Sequence, residues 1–288
     1  MVTLSSDPEQ LQSTAETLVA EAAEFVRRRR AEVFGEAASE AASEGLVQTK
    51  SSPTDPVTVV DTETERLIRD RLAQLRPGDA VLGEEGGGTG DVADPEGVTW
   101  VVDPIDGTVN FMYDVPAYAV SVAAQVGGVS LAGAVVDVVG DRIYSAAAGL
   151  GARVRDRAGV ATLRCNDVTT LSVALLGTGF GYSPRRRAAQ AALLARLLPA
   201  VRDVRRIGSA ALDLCMVAAG RLDAYYEHGI KPWGYAAGAL IAAEAGARVM
   251  LPGRQIDSGE AIVAAAPGIA DEFIAMLQRE GGLTPIPQ

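Results

Sequence analysis

The chain has 288 residues, of which 48% are hydrophobic and 22% are charged, and its formal net charge at pH 7 is −11. Its length allows one large domain or two of average size, and its composition excludes a disordered chain. No apolar run approaches the ~20 residues that span a bilayer, and the acidic, polar start of the chain is unlike a signal peptide. We therefore expect a cytoplasmic protein without membrane association. The negative charge also disfavours non-specific binding to nucleic acid.

Few residue types are available for chemistry. His228 is the single histidine, which excludes a histidine-rich zinc site and a two-histidine phosphoryl relay within one chain. Cys165 and Cys215 are far apart and lack CxxC spacing, so we expect neither a disulfide framework nor a structural zinc site. An enzyme built on this chain must use carboxylates, hydroxyls, backbone groups or bound hard cations.

Two helices are predicted near the start of the chain. Apolar residues recur at helical spacing over residues 8–33, whereas residues 35–48 contain little that packs and are predicted to form a mobile loop. A second helix is predicted to begin at Thr62, because Thr62 and Glu65 have the spacing of a capping box. This prediction places Asp61 just outside the helix N-terminus.

The pattern changes near the middle of the chain. Short β-branched segments separated by glycine turns indicate an antiparallel sheet in the first half, and alternating strands and helices indicate an α/β arrangement in the second. We therefore predict an N-terminal half over residues 1–160 and a C-terminal half over residues 161–288. The predicted strands are 80–82, 99–102 (ended by Asp103 and Pro104), three between 118 and 145, two weaker ones at Val154 and Leu163, 174–176, 204–206, 224–226 and 262–264; the later helices are 187–198, 210–219, 235–245 and 269–278.

Acidic residues cluster at the ends of these predicted elements. Singly, each cluster has an ordinary explanation as a helix cap, a solvated turn or a turn opener. Together they indicate a site where carboxylates converge. The clusters are Asp55 with Asp61, Glu84 with Glu85, Asp103 with Asp106, and Glu227.

The segment at residues 100–108 indicates what these carboxylates bind. A buried strand brings Asp103 to its carboxyl end, and a turn through a proline returns Asp106 beside it. Such close like charges repel unless a cation lies between them, and hard oxygen donors select magnesium, manganese or calcium. Gly107 and Thr108 then begin a short helix whose free N–H groups can hold an anion. Bound cations facing such a helix describe a phosphate-ester site.

The string from Asp103 to Phe111 resembles the first signature of the inositol monophosphatase family, whose members are magnesium-dependent, lithium-sensitive phosphatases. The similarity runs in order from about residue 11 to 280 and is greatest to the bacterial SuhB-type branch. The further matching segments are Lys50-Ser51-Ser52-Pro53 with Asp55 to Asp61, Gly83-Glu84-Glu85, Gly208-Ser209-Ala210-Ala211, Tyr225-Tyr226-Glu227, and Trp233 with Ala236-Ala237-Gly238 and Glu244-Ala245-Gly246.

The resemblance implies roles for individual residues. The first Mg²⁺ would be held by Glu84, Asp103 and the main-chain carbonyl of Ile105, and Asp103 and Asp106 would bridge toward a second. The catalytic set would be Asp61 and Thr108, which orient and deprotonate the attacking water, together with Glu84. The substrate-binding set would be Gly107, Thr108, Ser209, Ala210 and Glu227, although Ser209 can equally be a plain helix N-cap.

The family fold is a layered α/β/α/β/α sandwich, and its members are commonly homodimers, with the strands at 118–139 as a candidate interface. The implied activity is that of a metal-dependent phosphoric monoester hydrolase acting on a small polyol phosphate, with myo-inositol 1-phosphate favoured. Fructose 1,6-bisphosphate, histidinol phosphate and 3′-phosphoadenosine 5′-phosphate are alternatives on the same fold.

A different class of function also stays open. The chain would then be a low-activity regulatory protein that binds the transcription machinery or RNA polymerase. Arg185 to Arg187, Arg205 and Arg206 are candidate contacts for such a partner. The acidic composition favours the simpler interpretation that these arginines are solvated helix ends.

One position departs from the family pattern. Where the family has Trp-Asp, this chain has Trp233-Gly234, and the missing aspartate is the one expected to complete the ligand set of the second metal. No acidic residue lies between Glu227 and Glu244 to replace it. Glycine is tolerated at a helix start, and water can supply the missing oxygen to magnesium. We therefore predict a weakened second metal position and reduced activity.

Overall fold

The computed structural model describes residues 6–34, 47–50, 56–88, 96–253 and 258–287. No helix within these ranges is long and apolar enough to cross a membrane. The helices are α1 (Pro8–Phe34), α2 (Val59–Leu75), α3 (Thr108–Met112), α4 (Pro184–Leu197), α5 (Ala210–Ala218), α6 (Pro232–Glu244) and α7 (Pro267–Arg279). The strands are β1 (Val47–Thr49), β2 (Pro56–Thr58), β3 (Ala80–Gly83), β4 (Val98–Asp106), β5 (Ala119–Val126), β6 (Val129–Asp137), β7 (Arg142–Ala147), β8 (Gly151–Asp156), β9 (Gly159–Thr162), β10 (Leu175–Thr178), β11 (Asp203–Arg205), β12 (Ala224–His228), β13 (Arg248–Met250) and β14 (Ala261–Ala265).

Two large sheets organise the chain. The first has the order β3-β4-β5-β6-β7-β8-β9 and is antiparallel except for the β3–β4 pair. The second has the order β11-β10-β12-β14-β13 and is mixed, since β10 runs parallel to both neighbours and β14 runs antiparallel to both of its own. An antiparallel sheet in the first part and a mixed sheet in the second agree with expectation. The exact division at residue 160 stays a prediction.

Both sheets are covered on both faces, which gives the five layers. In β4, Trp100 and Val102 pack against α1 and α2, whereas Val101 packs against α5 and α6. In β12, Tyr225 packs against α5 and α6, and Tyr226 packs against α4 and α7. Because successive strand residues point to opposite faces, α5 and α6 form a middle layer between the sheets. The layered α/β/α/β/α sandwich is confirmed.

The start of α2 was predicted three residues too late. The N-cap is Thr58, whose side chain accepts from the Asp61 backbone N–H, while the Asp61 carboxylate accepts from the Thr58 N–H at 2.9 Å. Asp61 therefore lies within the first helical turn and not before it. Thr62 and Glu65 have the right spacing, but the Glu65 carboxylate accepts from two backbone N–H groups of the loop after β3 and is not available as a cap.

Strand β4 does not end at Val102, as the sequence predicted, but continues to Asp106. Its pairing with β5 shifts between Asp103, opposite Ser121, and Asp106, opposite Ala119. This bulge places Pro104 and Ile105 opposite the single residue Val120, and proline is tolerated at such a point because no ladder N–H is required. The bulge, rather than a turn, brings Asp103 and Asp106 to the same end of the sheet.

Three smaller predictions also change. Residues 47–49 were assigned to a loop but form β1, which pairs with β2, and residues 35–46 of that predicted loop lie outside the described residues. Strand β13 was not predicted. The strands at 118–139 cannot provide a dimer interface with their apolar faces, because Val120, Val122, Ala132 and Ala134 are fully buried beneath helices.

Candidate active site

A cleft of about 430 Å³ opens where several element ends meet. These are the end of β4, the loop after β3, the end of β12 and the N-termini of α3, α5 and α6. Asp55 lies outside the described residues, and Asp61 and Ser209 lie behind the cleft wall. The predicted site residues that line the cleft are Glu84, Asp103, Ile105, Asp106, Gly107, Thr108, Ala210, Glu227 and the departure position Gly234.

The centre of the cleft is a pair of carboxylates with different partners. Asp106 Oδ2 accepts from Ser209 Oγ and from the Ala211 backbone N–H, each at 2.6 Å. Asp103 is buried, and its Oδ1 has no hydrogen-bond partner among the described residues. Burial, with the nearby charge of Glu84 and then of Asp106, raises the pKa of Asp103 well above its usual range. A buried carboxylate with an unpaired oxygen beside like charges is stabilised by a bound cation.

Lys50 supplies one positive charge at the edge of this cluster. Its Nζ lies 2.7 Å from Glu84 Oε1 and 2.6 Å from Glu85 Oε1. Burial lowers the pKa of Lys50, but the attraction and hydrogen bonds of Glu84 and Glu85 together outweigh this and raise the pKa overall. Within the described ranges, no three acidic, histidine or cysteine side chains converge on one point. The oxygen atoms that could bind a metal here belong to carboxylates and a backbone carbonyl, which are the ligands that a hard divalent cation prefers. No hydrogen bond from the described residues occupies Asp103 Oδ1.

Asp61 and Thr108 form a second buried unit. The Thr108 hydroxyl lies 3.1 Å from Asp61 Oδ1 and 3.1 Å from the carbonyl oxygen of Ile105. The other carboxylate oxygen of Asp61 accepts from the backbone N–H and the hydroxyl of Thr58. Burial raises the pKa of Asp61 to about 6. A carboxylate with this pKa, joined through one hydroxyl to the cleft, can accept a proton near neutral pH.

Glu227 projects from the end of β12 into the same cleft. Its Oε2 accepts from the Tyr225 hydroxyl at 2.7 Å, and burial raises the pKa of Glu227 to about 7. Any Cβ at position 179 would overlap this carboxylate, so Gly179 makes room for it. Ser209 is the N-cap of α5, accepting from the Leu212 N–H at 3.3 Å while it also donates to the carboxylate of the cleft. The N-cap role is therefore confirmed, whereas the substrate-binding role of Ser209 stays a prediction.

Gly234 lies in the first turn of α6 and is buried against the cleft. A Cβ at this position would lie 4.0 Å from Asp103 Oδ2 and 2.9 Å from Cγ2 of Ile230. A side chain at position 234 would therefore face the carboxylate pair. This methyl group of Ile230 is bonded directly to Cβ of a β-branched side chain, so a side chain at position 234 requires a small shift of Ile230.

The family model for the inositol monophosphatase family matches residues 7–282 of this chain. The chain belongs to this family. An inositol-1-monophosphatase of Mycobacterium leprae is 69% identical over 99% of this chain and 99% of its own length. A Nus factor SuhB of Pasteurella multocida is 38% identical over 81% of this chain and 86% of its own length. Among solved structures, Mycobacterium tuberculosis SuhB superimposes with a TM-score of 0.82 at 61% identity, covering 97% of this chain and 100% of that one.

Several cleft residues were missed by the family resemblance and by the motif analysis. Arg186, Arg206, His228 and Lys231 line the cleft with Phe180 and Tyr182. Arg186 had been assigned to a solvated helix end, which is wrong, since its side chain is buried and only 3% of the residue is exposed. Nothing in the Arg185–Arg187 run distinguishes the middle arginine. The helical phase of α4 could have done so, because Arg186, Gln190, Leu193 and Leu197 share its buried face.

Proposed function

We propose that this protein hydrolyses a small polyol phosphate monoester, with myo-inositol 1-phosphate as the first candidate and Mg²⁺ as its metal. The observation that carries the proposal is the unpartnered Oδ1 of Asp103, placed between other carboxylates and next to the Asp61–Thr108 pair. Membership of the inositol monophosphatase family and the name of the M. leprae relative support it. The reaction class is phosphoric monoester hydrolysis.

In this proposal the first metal position uses Glu84, Asp103 and the Ile105 carbonyl, and the second uses Asp103 and Asp106. A bound divalent cation acidifies water and neutralises charge on the phosphoryl group. Ser209 and the Ala211 N–H hold the carboxylate of Asp106 in place.

The remaining steps fall to the chain's own groups. The Thr108 hydroxyl orients the attacking water, and the Asp61 carboxylate takes its proton. The backbone N–H groups of Gly107 and Thr108 face the phosphoryl oxygens. Glu227 accepts hydrogen bonds from substrate hydroxyls, with Ala210 beside it in the same wall.

The proposal includes impaired activity. At position 234 the chain lacks the carboxylate that the family resemblance leads us to expect on the second metal. Water can replace one oxygen of Mg²⁺, so the second position weakens rather than disappears. Loss of even an outer partner costs about 10–100-fold in metal affinity or activity. We therefore expect an abnormally high magnesium requirement.

Phosphate release from four esters tests the substrate assignment. These are myo-inositol 1-phosphate, fructose 1,6-bisphosphate, histidinol phosphate and 3′-phosphoadenosine 5′-phosphate, each at saturating Mg²⁺. We expect myo-inositol 1-phosphate to give the highest kcat/KM. Turnover of another ester about 10-fold faster, a difference of about 1.4 kcal/mol in transition-state stabilisation, would overturn the assignment.

The proposal also places a homodimer in the cytoplasm. Phosphorylated polyols are charged and do not cross bilayers unaided, so a cytoplasmic location matches the substrate. Light scattering of the purified chain tests the dimer, and a monomer at micromolar concentration would contradict it.

A second candidate is a regulatory protein with weak hydrolysis. The Gly234 departure and the name of the P. multocida relative, a Nus factor SuhB, favour it. Capture of RNA polymerase by the immobilised chain, repeated over a salt series, tests this candidate. Binding that is lost by physiological salt would overturn it, because such binding is only non-specific attraction.

A further inference from the structure

One oxygen of the Glu227 carboxylate is held by a buried tyrosine. The Tyr225 hydroxyl donates to Glu227 Oε2 at 2.7 Å. The two residues are one position apart on β12, so both side chains lie on the same face of the strand. Tyr225 is fully buried, whereas Glu227 lines the cleft. The tyrosine is therefore shut off from a ligand and can affect one only through Glu227.

The packing of Tyr225 fixes the position of its hydroxyl. The ring belongs to the buried apolar cluster between the second sheet and the middle helices, together with Leu214 of α5 and Ala239 of α6. A phenol has a single O–H to donate, and Glu227 receives it. Asp213 of α5 lies near the same face, but its Oδ1 has no hydrogen-bond partner among the described residues. The one donor of the tyrosine is thus committed to the cleft carboxylate.

Two glycines make room for this pair. Gly177 lies opposite Tyr225 on the neighbouring strand β10, and a Cβ there would lie 3.2 Å from Tyr225 Cδ2. A Cβ at Gly179 would overlap the Glu227 carboxylate, with Oε2 as its nearest atom. The oxygen that accepts from the tyrosine therefore occupies the space that Gly179 leaves free.

The two oxygens of the Glu227 carboxylate have different surroundings. Oε2 is held by Tyr225, whereas Oε1 accepts no hydrogen bond from the described residues. Burial raises the pKa of Glu227 to about 7, and the hydrogen bond from Tyr225 acts against this rise. The tyrosine thus favours the ionised carboxylate, which can only accept hydrogen bonds. Oε1 is the oxygen that stays available for hydroxyl groups of a ligand.

A carboxylate held in this way discriminates between esters by their hydroxyl groups. A site built to bind a substrate O–H rejects an analogue without it, because the polar group of the site then loses its partner. The discrimination is greatest when the carboxylate is already oriented before the substrate binds, since less side-chain freedom is lost on binding.

We infer that Tyr225 is a positioning residue that determines specificity: by holding Oε2 of Glu227 it directs Oε1 to the substrate, and the cleft then selects polyol phosphates over esters without hydroxyl groups. The inference rests on the proposed function, which assigns Glu227 to the substrate hydroxyls. It adds that a buried group outside the cleft sets how strongly those hydroxyls are recognised.

Tyr225→Phe tests this role, because it removes the hydroxyl and keeps the ring. Two esters are compared, myo-inositol 1-phosphate and cyclohexyl phosphate, which has a six-membered ring without hydroxyl groups. Values of kcat and KM are measured for each at saturating Mg²⁺. We expect KM for myo-inositol 1-phosphate to rise about 10-fold, equal to about 1.4 kcal/mol, while kcat changes by less than about twofold. The loss should be confined to the ester that carries hydroxyl groups.

Calorimetry with Ca²⁺ in place of Mg²⁺ measures affinity without turnover, since calcium is expected not to support the reaction. The unmodified chain should bind myo-inositol 1-phosphate at least about 10-fold more tightly than cyclohexyl phosphate, and Tyr225→Phe should lose most of this preference. If neither ester is hydrolysed but this pattern of binding is found, the proposed function fails and the role of Tyr225 is supported. An unmodified chain that binds both esters equally, or neither of them, would overturn that role.

Tyr226→Phe is the matched control. Tyr226 is the next residue on β12 and is also buried, but its ring packs on the opposite face of the sheet, against α4 and α7. Its variant should keep the full preference, and thermal unfolding of both variants checks that each is folded. A general loosening of the core would affect the two variants alike.

Glu227→Ala removes the carboxylate through which the tyrosine acts. Adding Tyr225→Phe to this variant should cause no further loss of preference, because two residues that act through one contact are not additive. An unchanged preference in Tyr225→Phe, an equal loss in Tyr226→Phe, or a further loss in the double variant would each overturn the positioning role.

Discussion

Position 234 faces Asp103 across the cleft, with a Cβ position 4.0 Å from Asp103 Oδ2. The first turn of α6 therefore presents this position directly to a buried carboxylate whose pKa is raised well above its usual range by burial. Glycine provides no side-chain oxygen at position 234 that could bind a metal. The departure from the family pattern thus falls on the carboxylate-lined wall of the cleft and not on a remote helix surface.

Gly234→Asp should raise the maximal rate and lower the magnesium midpoint, by roughly 10–100-fold, because a metal ligand is restored. Phosphate release measured against magnesium concentration checks this. Gly234→Asn is the control, since it has the same shape and makes the same close approach to Ile230 without the charge. An unchanged midpoint and rate in the aspartate variant, or equal gains in both variants, would show that a carboxylate is not what the site lacks.

Asp103→Asn and Asp106→Asn should each lower phosphatase activity on the order of 10³-fold or more, because a neutral amide is a poor magnesium ligand and the metal contributes several kcal/mol. The fold should persist, and metal-free stability should stay equal or rise as like charges are removed. Circular dichroism and thermal unfolding provide the control. Turnover like that of the unmodified chain at saturating magnesium would place the chemistry elsewhere.

Lithium should inhibit in the millimolar range, because a small monovalent cation can occupy one magnesium position after turnover. Calcium should also inhibit, since its longer and looser coordination fits poorly where strict geometry places the nucleophile. Initial rates with each ion, in the presence of magnesium, provide the measurement. Full activity in calcium alone would contradict the proposed metal geometry.

The metal-free protein should lose stability as pH rises from about 5 to 8. Burial raises the pKa of Asp61 and Asp106 to about 6 and of Glu227 to about 7, and that of Asp103 also rises. In this range the folded state holds protons that the unfolded chain has released, so ionisation destabilises the fold. His228, with its pKa lowered to about 4, acts in the opposite direction below pH 6.5, but it is one group against four.

Urea unfolding in EDTA at several pH values measures this slope. Magnesium should flatten it, because a bound cation favours the ionised carboxylates. A free energy of unfolding that increases between pH 5 and 8 in EDTA would show that burial does not raise the pKa values of these carboxyl groups in the folded chain.

Sequence reasoning located the acidic part of the cleft because its residues lie at strand and helix ends, where one short motif carries several of them. It could not place Arg186 in the wall of the cleft. The burial of that side chain depends on Gly181, in the loop before α4, and on Gly229, which is distant in sequence, and both leave room for it only after folding. The choice of Thr58 over Thr62 as N-cap was equally inaccessible, since a tertiary contact of the competing glutamate decides it.

Asp61 has a structural role in addition to its proposed catalytic role. Its carboxylate completes the capping box of α2 and also accepts a hydrogen bond from the Thr108 hydroxyl. A chain without catalytic activity would therefore still need Asp61 to stabilise the start of α2. Position 234 has no such capping role, because it lies inside the first turn of α6 and the N-cap of that helix is Lys231. If position 234 binds metal as proposed, loss of its carboxylate therefore affects hydrolysis alone, whereas loss of the Asp61 carboxylate would affect both hydrolysis and the stability of α2.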